Sequence, residues 1–280
     1  MSSFVLRSTF RNFAVIQTTR KQDMKKRLVI KVGSNVLTRG DGKLDVTRMS
    51  AIVDQIAWLR QHDYEVILVS SGAVACGKSE LHVEAPLDSV EQRQLYSALG
   101  QVKLIGLYYD LFREYNIHVG QVLTMKENFE AGEQYDNQCA CVSVMLENGV
   151  LPIVNENDTV SVTELMFTDN DELSGLIAQM MQAEELILLT NVDGIYNGEP
   201  ANPKSRVIPS VHWNRDISDY ILDEKSEAGR GGMQSKSNIA HQVANAGIRV
   251  IIANGKRDDI LIDLIKQPLE TIHTEFVPKK

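Results

Sequence analysis

Cysteine, histidine and long apolar runs are all scarce in this sequence, and each shortage removes a class of function. Three cysteines, Cys76, Cys139 and Cys141, leave an odd number and form no C-x-x-C pair. They read as reduced intracellular thiols rather than a disulfide framework. Six histidines are scattered, with no H-E-x-x-H spacing, so no dedicated zinc site is expected. No apolar run approaches the roughly 20 residues that span a bilayer. Basic residues are outnumbered, 29 Lys and Arg against 37 Asp and Glu, for a formal net charge of −8. That balance argues against non-specific binding to nucleic acid or anionic membranes, and the expected location is cytoplasmic. After residue 24 there is no internal repeat, low-complexity tract or linker.

What is present is ordinary for a soluble globular chain: 43% hydrophobic and 24% charged residues. The first 23 residues stand apart. Arg7, Arg11, Arg20 and Lys21 meet no acid before Asp23, and Ser and Thr are frequent. This is the composition of an organelle transit peptide. The reading preferred here is a start at Met24 or a disordered extension, with residues 24–280 as one domain.

Short β-branched runs alternate with helical periodicity along that domain. Strands are expected at Arg27–Val32, Glu65–Ser70, Ile117–Leu123, Gly149–Asn155, Glu185–Thr190 and Arg249–Ala253, with a last one near Phe276. Helices are expected over Asp45–His62, with Asp45 as N-cap, and over Ser89–Tyr115, Asp171–Gln182 and Met233–Ala246, the last stopped by Gly247. In the second helix Leu95, Leu99, Val102, Ile105, Tyr109 and Phe112 fall on one side. Near-continuous apolar strands alternating with helices imply an α/β fold, a three-layer αβα sandwich around a mostly parallel sheet.

Ligands of such sheets gather at the carboxyl ends of the strands. Those ends are small, polar or charged: Lys31 to Ser34, Ser70-Ser71-Gly72, Asn155-Glu156-Asn157-Asp158 and Thr190-Asn191. One of them opens a loop that fits G-x-x-x-x-G-K-[ST], Gly72 to Ser79, the phosphate-cradling signature. A P-loop starts its helix at the G-K-[ST] end. Here Pro86 leaves at most two turns, and Ala73 to Cys76 equally suit a helix packed on the sheet. Two readings therefore stand, a P-loop NTPase using Lys78 or a coincidental match.

Taken together, the strand-end residues resemble the glutamate-phosphorylating branch of the amino-acid kinase family. The likeness runs from about Lys26 to Gly255. It is carried by Val29 to Ser34, Ser71-Gly72-Ala73, Gly100-Gln101, His118 to Gln121, Asn155 to Asp158, Asp169-Asn170-Asp171 with Leu173-Ser174, Leu188 to Thr190, Asp193 to Tyr196, and Gly231-Gly232-Met233 with Lys236. The resemblance implies transfer of phosphate from ATP, with Mg²⁺, to the γ-carboxylate of L-glutamate, the first step of proline biosynthesis. Other acceptors of the family, such as another amino acid, UMP or carbamate, are the alternatives. It further implies a homo-oligomer, dimer or tetramer, and delivery of a labile acyl phosphate to a glutamyl-phosphate reductase. No room remains after Phe276 for the RNA-binding-like PUA domain of many bacterial relatives.

The chemistry fits this reading. A carboxylate nucleophile is already ionised at neutral pH, so catalysis needs no base, only positioning and positive charge at the phosphates. Lys31, inside an apolar strand, and Lys236, behind Gly231-Gly232 at a helix start, are the candidate cations. By the resemblance, Asp171 holds the two lysines. Ser71, Asp158 and Asn170, with Asn155, bind glutamate. Lys31, Thr190, Asn191, Arg230, Gly231, Gly232, Met233, Gln234, Ser235 and Lys236 line the nucleotide site. Mg²⁺ is held mainly by ATP, without a protein cage. Asn191 and Arg230 depart from the family pattern, where Asp and Thr are common.

Overall fold

β-Branched and leucine-rich runs supply the centre of the molecule. The computed structural model describes residues 25–84, 87–161, 167, 169–220 and 232–280. Its strands are β1 (Lys26–Val32), β2 (Tyr64–Ser70), β3 (Val119–Thr124), β4 (Leu151–Glu156), β5 (Glu185–Thr190), β6 (Ser210–His212), β7 (Arg249–Asn254) and β8 (Thr274–Val277). They form one sheet in the order β3-β4-β2-β1-β5-β7-β8-β6. Every pairing is parallel except β7 with β8. β1 lies at the centre of this register, with Lys31 opposite Val69 of β2 and Leu188 of β5.

Helices cover both faces, as the near-continuous burial of β1, β2, β4 and β5 requires. One layer holds α1 (Ser34–Leu37), α2 (Val46–Gln61), α3 (Ala73–Glu80), α4 (Ser89–Arg113) and α8 (Ile260–Lys266). Its core contains Leu28, Ile30 and Val32 of β1. The other holds α5 (Glu133–Glu147), α6 (Asn170–Met180) and α7 (Met233–Asn245), packed on Val29, Ile67 and Leu188. Strand alternation sends Lys31 to the same face as Val29, toward α6. The three-layer αβα sandwich expected from the sequence is the fold observed. Helices α1, α5 and α8 and strand β6 are additions to the elements expected. Residues 1–23 lie outside the described residues.

One expectation is corrected in part. On α4 the side turned inward carries Ser97, Gly100, Leu104, Tyr108 and Phe112. Of the predicted stripe, Phe112 is buried and Ile105 packs against the core, whereas Leu99, Val102 and Tyr109 are exposed, Val102 by 73%. Close approach of α3 and α4 sets this rotation. A Cβ on Gly100 would sit 1.7 Å from the Ala73 carbonyl oxygen, and one on Gly77 would sit 1.9 Å from that of Tyr96. Only hydrogen fits at either point, so small residues rather than the largest apolar ones define the buried face.

The same contact removes the P-loop reading. α3 begins at Ala73, directly after a left-handed turn at Gly72 (φ 108°), and Gly77 stands inside it. The Gly72 to Ser79 segment is thus a helix against a helix, with no phosphate-cradling loop ahead of a G-K-S helix start. Lys78, in its last turn, lies 5.9 Å from the Tyr96 ring centroid. Gly100→Ala is expected to cost at least about 1–3 kcal/mol, the usual range for overpacking. Urea denaturation monitored by circular dichroism measures it, and an unchanged midpoint would contradict the packing described.

Candidate active site

The carboxyl ends of four adjacent strands, β4, β2, β1 and β5, open into a groove of about 1470 Å³. On its floor Asp171 sits between two ammonium groups. Lys31 Nζ lies 2.7 Å from Asp171 Oδ1 and Lys236 Nζ lies 3.0 Å from Oδ2. Asp171 is 1% exposed and Lys31 5%. Burial would push the Asp171 carboxyl up, but Lys31 and then Lys236 outweigh it and hold the group below the usual carboxylate range. Two ammonium groups thus stand at this end of the groove with one carboxylate between them.

Local sequence explains how three distant residues meet. Lys31 comes from the last turn of pleat in β1, Asp171 from the first turn of α6 and Lys236 from the first turn of α7. Both helix N-termini therefore point into the groove, adding their partial positive charge. Asp169 joins them. It is the N-cap of α6, accepting from the backbone N–H of Asp171 (2.9 Å) and Glu172 (3.0 Å), while Ser235 Oγ of α7 donates to it at 2.6 Å. Burial, then the charge of Asp171, pushes the Asp169 carboxyl up. No role for Asp169 emerged from the sequence, although its place one residue before a helix is an N-cap signal.

Next to this pole lies a neutral shelf. Asn170 Nδ2 donates to Ser71 Oγ and to Asn155 Oδ1, each at 2.9 Å. Beyond it is a second, negative pole. Asp158 and Glu156 face Arg93 of α4, with Nη2 of Arg93 at 2.5 Å from Asp158 Oδ1 and 2.8 Å from Glu156 Oε2. Arg93 is not among the residues singled out by sequence, and Glu156 appears there only within the Asn155 to Asp158 motif, without a role of its own. Arg93 belongs to no motif, and its carboxylate partners lie more than sixty positions away.

On the other side of β1, Thr190, Asn191, Gly232, Met233 and Lys236 line the groove. Thr190 Oγ1 faces Asn191 Oδ1 at 3.4 Å. The amide of Gln234 donates to Asn238 one turn along α7, and Ser235 is taken by Asp169. Arg230 and Gly231 lie outside the described residues. Among the described residues no three His, Cys, Asp or Glu side chains gather to hold a metal ion, and no helix is long and apolar enough to cross a membrane. Two lysines and two helix N-termini on one floor suit the phosphates of a nucleotide.

Comparison with known proteins points the same way. The amino acid kinase family profile matches residues 26–254. The glutamate 5-kinase of Bacteroides thetaiotaomicron is 64% identical over 252 residues, covering 90% of this chain and 70% of that protein. The glutamate 5-kinase of Chlorobaculum tepidum is 46% identical over 238 residues, 84% of this chain and 65% of that one. Among solved structures, carbamate kinase from Giardia lamblia bound to AMP-PNP matches with a TM-score of 0.66 at 16% identity, over 91% of this chain and 99% of that one. UMP kinase from Ureaplasma parvum matches with a TM-score of 0.61 at 16% identity, over 91% and 100%. At this identity the structural likeness speaks for the fold alone.

Two outcomes follow from the geometry. Lys236→Ala is expected to lower kcat for phosphoryl transfer at least about 10²-fold, whereas Lys78→Ala stays near the wild-type rate. Steady-state ADP release measures both, and the reverse ranking would overturn the site. Asp171→Asn strands two buried ammoniums and is expected to cost about 3–5 kcal/mol at neutral pH. Because the folded carboxyl titrates below its ordinary value of about 3.9, its contribution is present above that pH and fades as pH falls through the lower folded value. Denaturation of both proteins from pH 7 to pH 3 should show the difference shrinking only below about pH 4.

Proposed function

The chain belongs to the amino acid kinase family, and from that premise we propose that it transfers the γ-phosphoryl group of ATP to the γ-carboxylate of L-glutamate. The product is L-glutamyl 5-phosphate, and the step is the first of proline biosynthesis. The observation that carries this reading is the Lys31–Asp171–Lys236 arrangement beside the Asn170–Ser71–Asn155 shelf. Similarity to glutamate 5-kinases over 90% of the chain supports the choice of acceptor.

The residues divide the work. Lys31 and Lys236 stabilise the negative charge that spreads over the transferring phosphoryl oxygens, and Asp171 fixes both ammoniums in place before substrate arrives. The acceptor carboxylate is ionised at neutral pH, which agrees with a groove floor built from cations rather than a base. Asp158 takes the substrate ammonium, and Ser71, Asn155 and Asn170 take its polar edges. Thr190, Asn191 and the start of α7 bind the nucleotide. Mg²⁺ enters with ATP, held by phosphates and water.

The chain works in the cytoplasm and passes its labile product to a glutamyl-phosphate reductase. Leu99, Val102 and Tyr109, exposed on α4 in the single chain, support a homo-oligomer, dimer or tetramer, that covers them. ADP release assayed with glutamate, aspartate, N-acetylglutamate and UMP tests the acceptor. Turnover is expected with glutamate at least about 10²-fold above the others. Turnover that does not depend on glutamate would sink the reading.

A further inference from the structure

We propose that Arg39, carried on a hairpin at the mouth of the groove, binds the α-carboxylate of the acceptor and so selects for an α-amino acid. This deepens the glutamate reading above and rests on it. Residues 38–44 form the hairpin. Thr38 and Leu44 make an antiparallel bridge, the Arg39 N–H donates to the Lys43 carbonyl at 2.8 Å, and the Gly42 N–H donates to the Arg39 carbonyl at 2.9 Å. Its stalk is fixed, for Leu37 and Leu44 are buried in the core. Their Cδ1 atoms lie 3.7 and 3.6 Å from where a Cβ on Gly72 would stand. The hairpin therefore rises beside the end of β2, next to Ser71, and Thr38, Arg39, Gly40 and Gly42 line the groove. Its tip is open: a Cβ on Gly40 or Gly42 would meet nothing within 4 Å.

Glutamate brings three charged groups to the groove. On the reading above its γ-carboxylate faces Lys31 and Lys236 and its ammonium faces Asp158, which leaves the α-carboxylate to be matched. Among the described residues six cationic side chains line the groove: Lys31, Arg39, Lys78, Arg93, Lys236 and Lys256. Lys31 and Lys236 hold Asp171, and Arg93 is taken by Asp158 and Glu156. Lys256 follows β7, on the far side of β1 from Ser71. Lys78 stands in the last turn of α3, its ammonium 5.9 Å from the Tyr96 ring centroid. Arg39 is held most loosely. Its Nε lies 3.8 Å from Asp41 Oδ1, between side chains 55% and 52% exposed. That separation is beyond hydrogen-bond distance, and an exposed pair of this kind contributes little. The Nη edge of the guanidinium remains for the two-pronged contact that a carboxylate accepts. The fixed stalk keeps Arg39 at the mouth, and its exposed side chain can turn onto the ligand.

L-Isoglutamine isolates the contact, because it keeps the ammonium and the γ-carboxylate but carries a neutral α-carboxamide. The experiment measures kcat/KM for glutamate and isoglutamine on the wild type, Arg39→Gln, Arg39→Lys, Asp41→Asn and Lys78→Ala, with KM for ATP and melting temperature followed in each. The wild type is expected to prefer glutamate by about 10-fold or more. In Arg39→Gln the preference is expected to narrow to about 3-fold or less, through a higher KM for glutamate while KM for ATP holds. Arg39→Lys keeps the charge but not the fork, and an intermediate preference is expected. Asp41→Asn removes the one printed partner of Arg39 and is expected to keep the full preference. If the pair served only to shape the hairpin, Asp41→Asn would lose as much as Arg39→Gln, and that result overturns the assignment. So does a preference left unchanged by Arg39→Gln, one narrowed by Lys78→Ala instead, a rise in KM for ATP rather than for glutamate, or a wild type that uses both acceptors equally. A wild type with no glutamate-dependent turnover would instead sink the acceptor reading itself.

Discussion

Two ammonium groups share one carboxylate at the floor of the groove, and each of the three side chains comes from a different element of the fold. Lys31 belongs to the sheet, Asp171 and Lys236 to two helices of the covering layer. Taking such charges out of water costs more than their attraction returns unless the geometry is good. Here the compensation is built from neighbours. Asp169 ties the two helix ends together through backbone N–H groups and Ser235, and the buried register of β1 fixes where Lys31 emerges. The arrangement is expensive for stability alone, so its presence makes sense as a cationic surface set in place ahead of the phosphates.

The groove is electrically divided. One end holds the two lysines and the N-termini of α6 and α7, whereas the other holds Glu156, Asp158 and Arg93; on the proposed function the first takes the nucleotide and the second the acceptor. Asn170 lies between, joined to Ser71 and Asn155 by hydrogen bonds that carry no net charge. An acceptor that is positive at one end and negative at the other is oriented by this division before any reacting atoms meet, and orientation is most of what phosphoryl transfer asks of a protein.

Much of this was legible from residues in order. A lysine inside an apolar strand and four polar strand ends were enough to place the groove, because parallel sheets leave little else at their carboxyl edge. The union of Asp171 with Lys236, 65 positions apart, came from resemblance, since no local rule brings two helix starts together. Arg93 was invisible because an arginine on a helix reads as solvated until its partners are known. The rotation of α4 was misread for a related reason: glycine and serine carry little hydrophobic signal, yet Gly100 sits at its closest contact and Ser97 is buried. In the G-x-x-x-x-G-K-S match Gly72 proved to be a left-handed turn and Gly77 a packing residue, with spacing that imitates a loop.

Among the described residues β1 joins the two halves of the sheet, hydrogen-bonded to β2, with β4 beyond it, on one side and to β5, with β7 beyond it, on the other. The candidate acceptor residues Ser71, Asn155 and Asp158 follow strands of the first half, and the candidate nucleotide residues Thr190 and Asn191 a strand of the second. This is a division of labour along which a lineage can diverge. Loops after β2 and β4 can be rewritten without disturbing the strands that face the nucleotide, provided the lysine in β1 is kept. A sheet seamed at its central strand thus lets one half change while the other is kept, which is one way a single fold comes to host unlike sites.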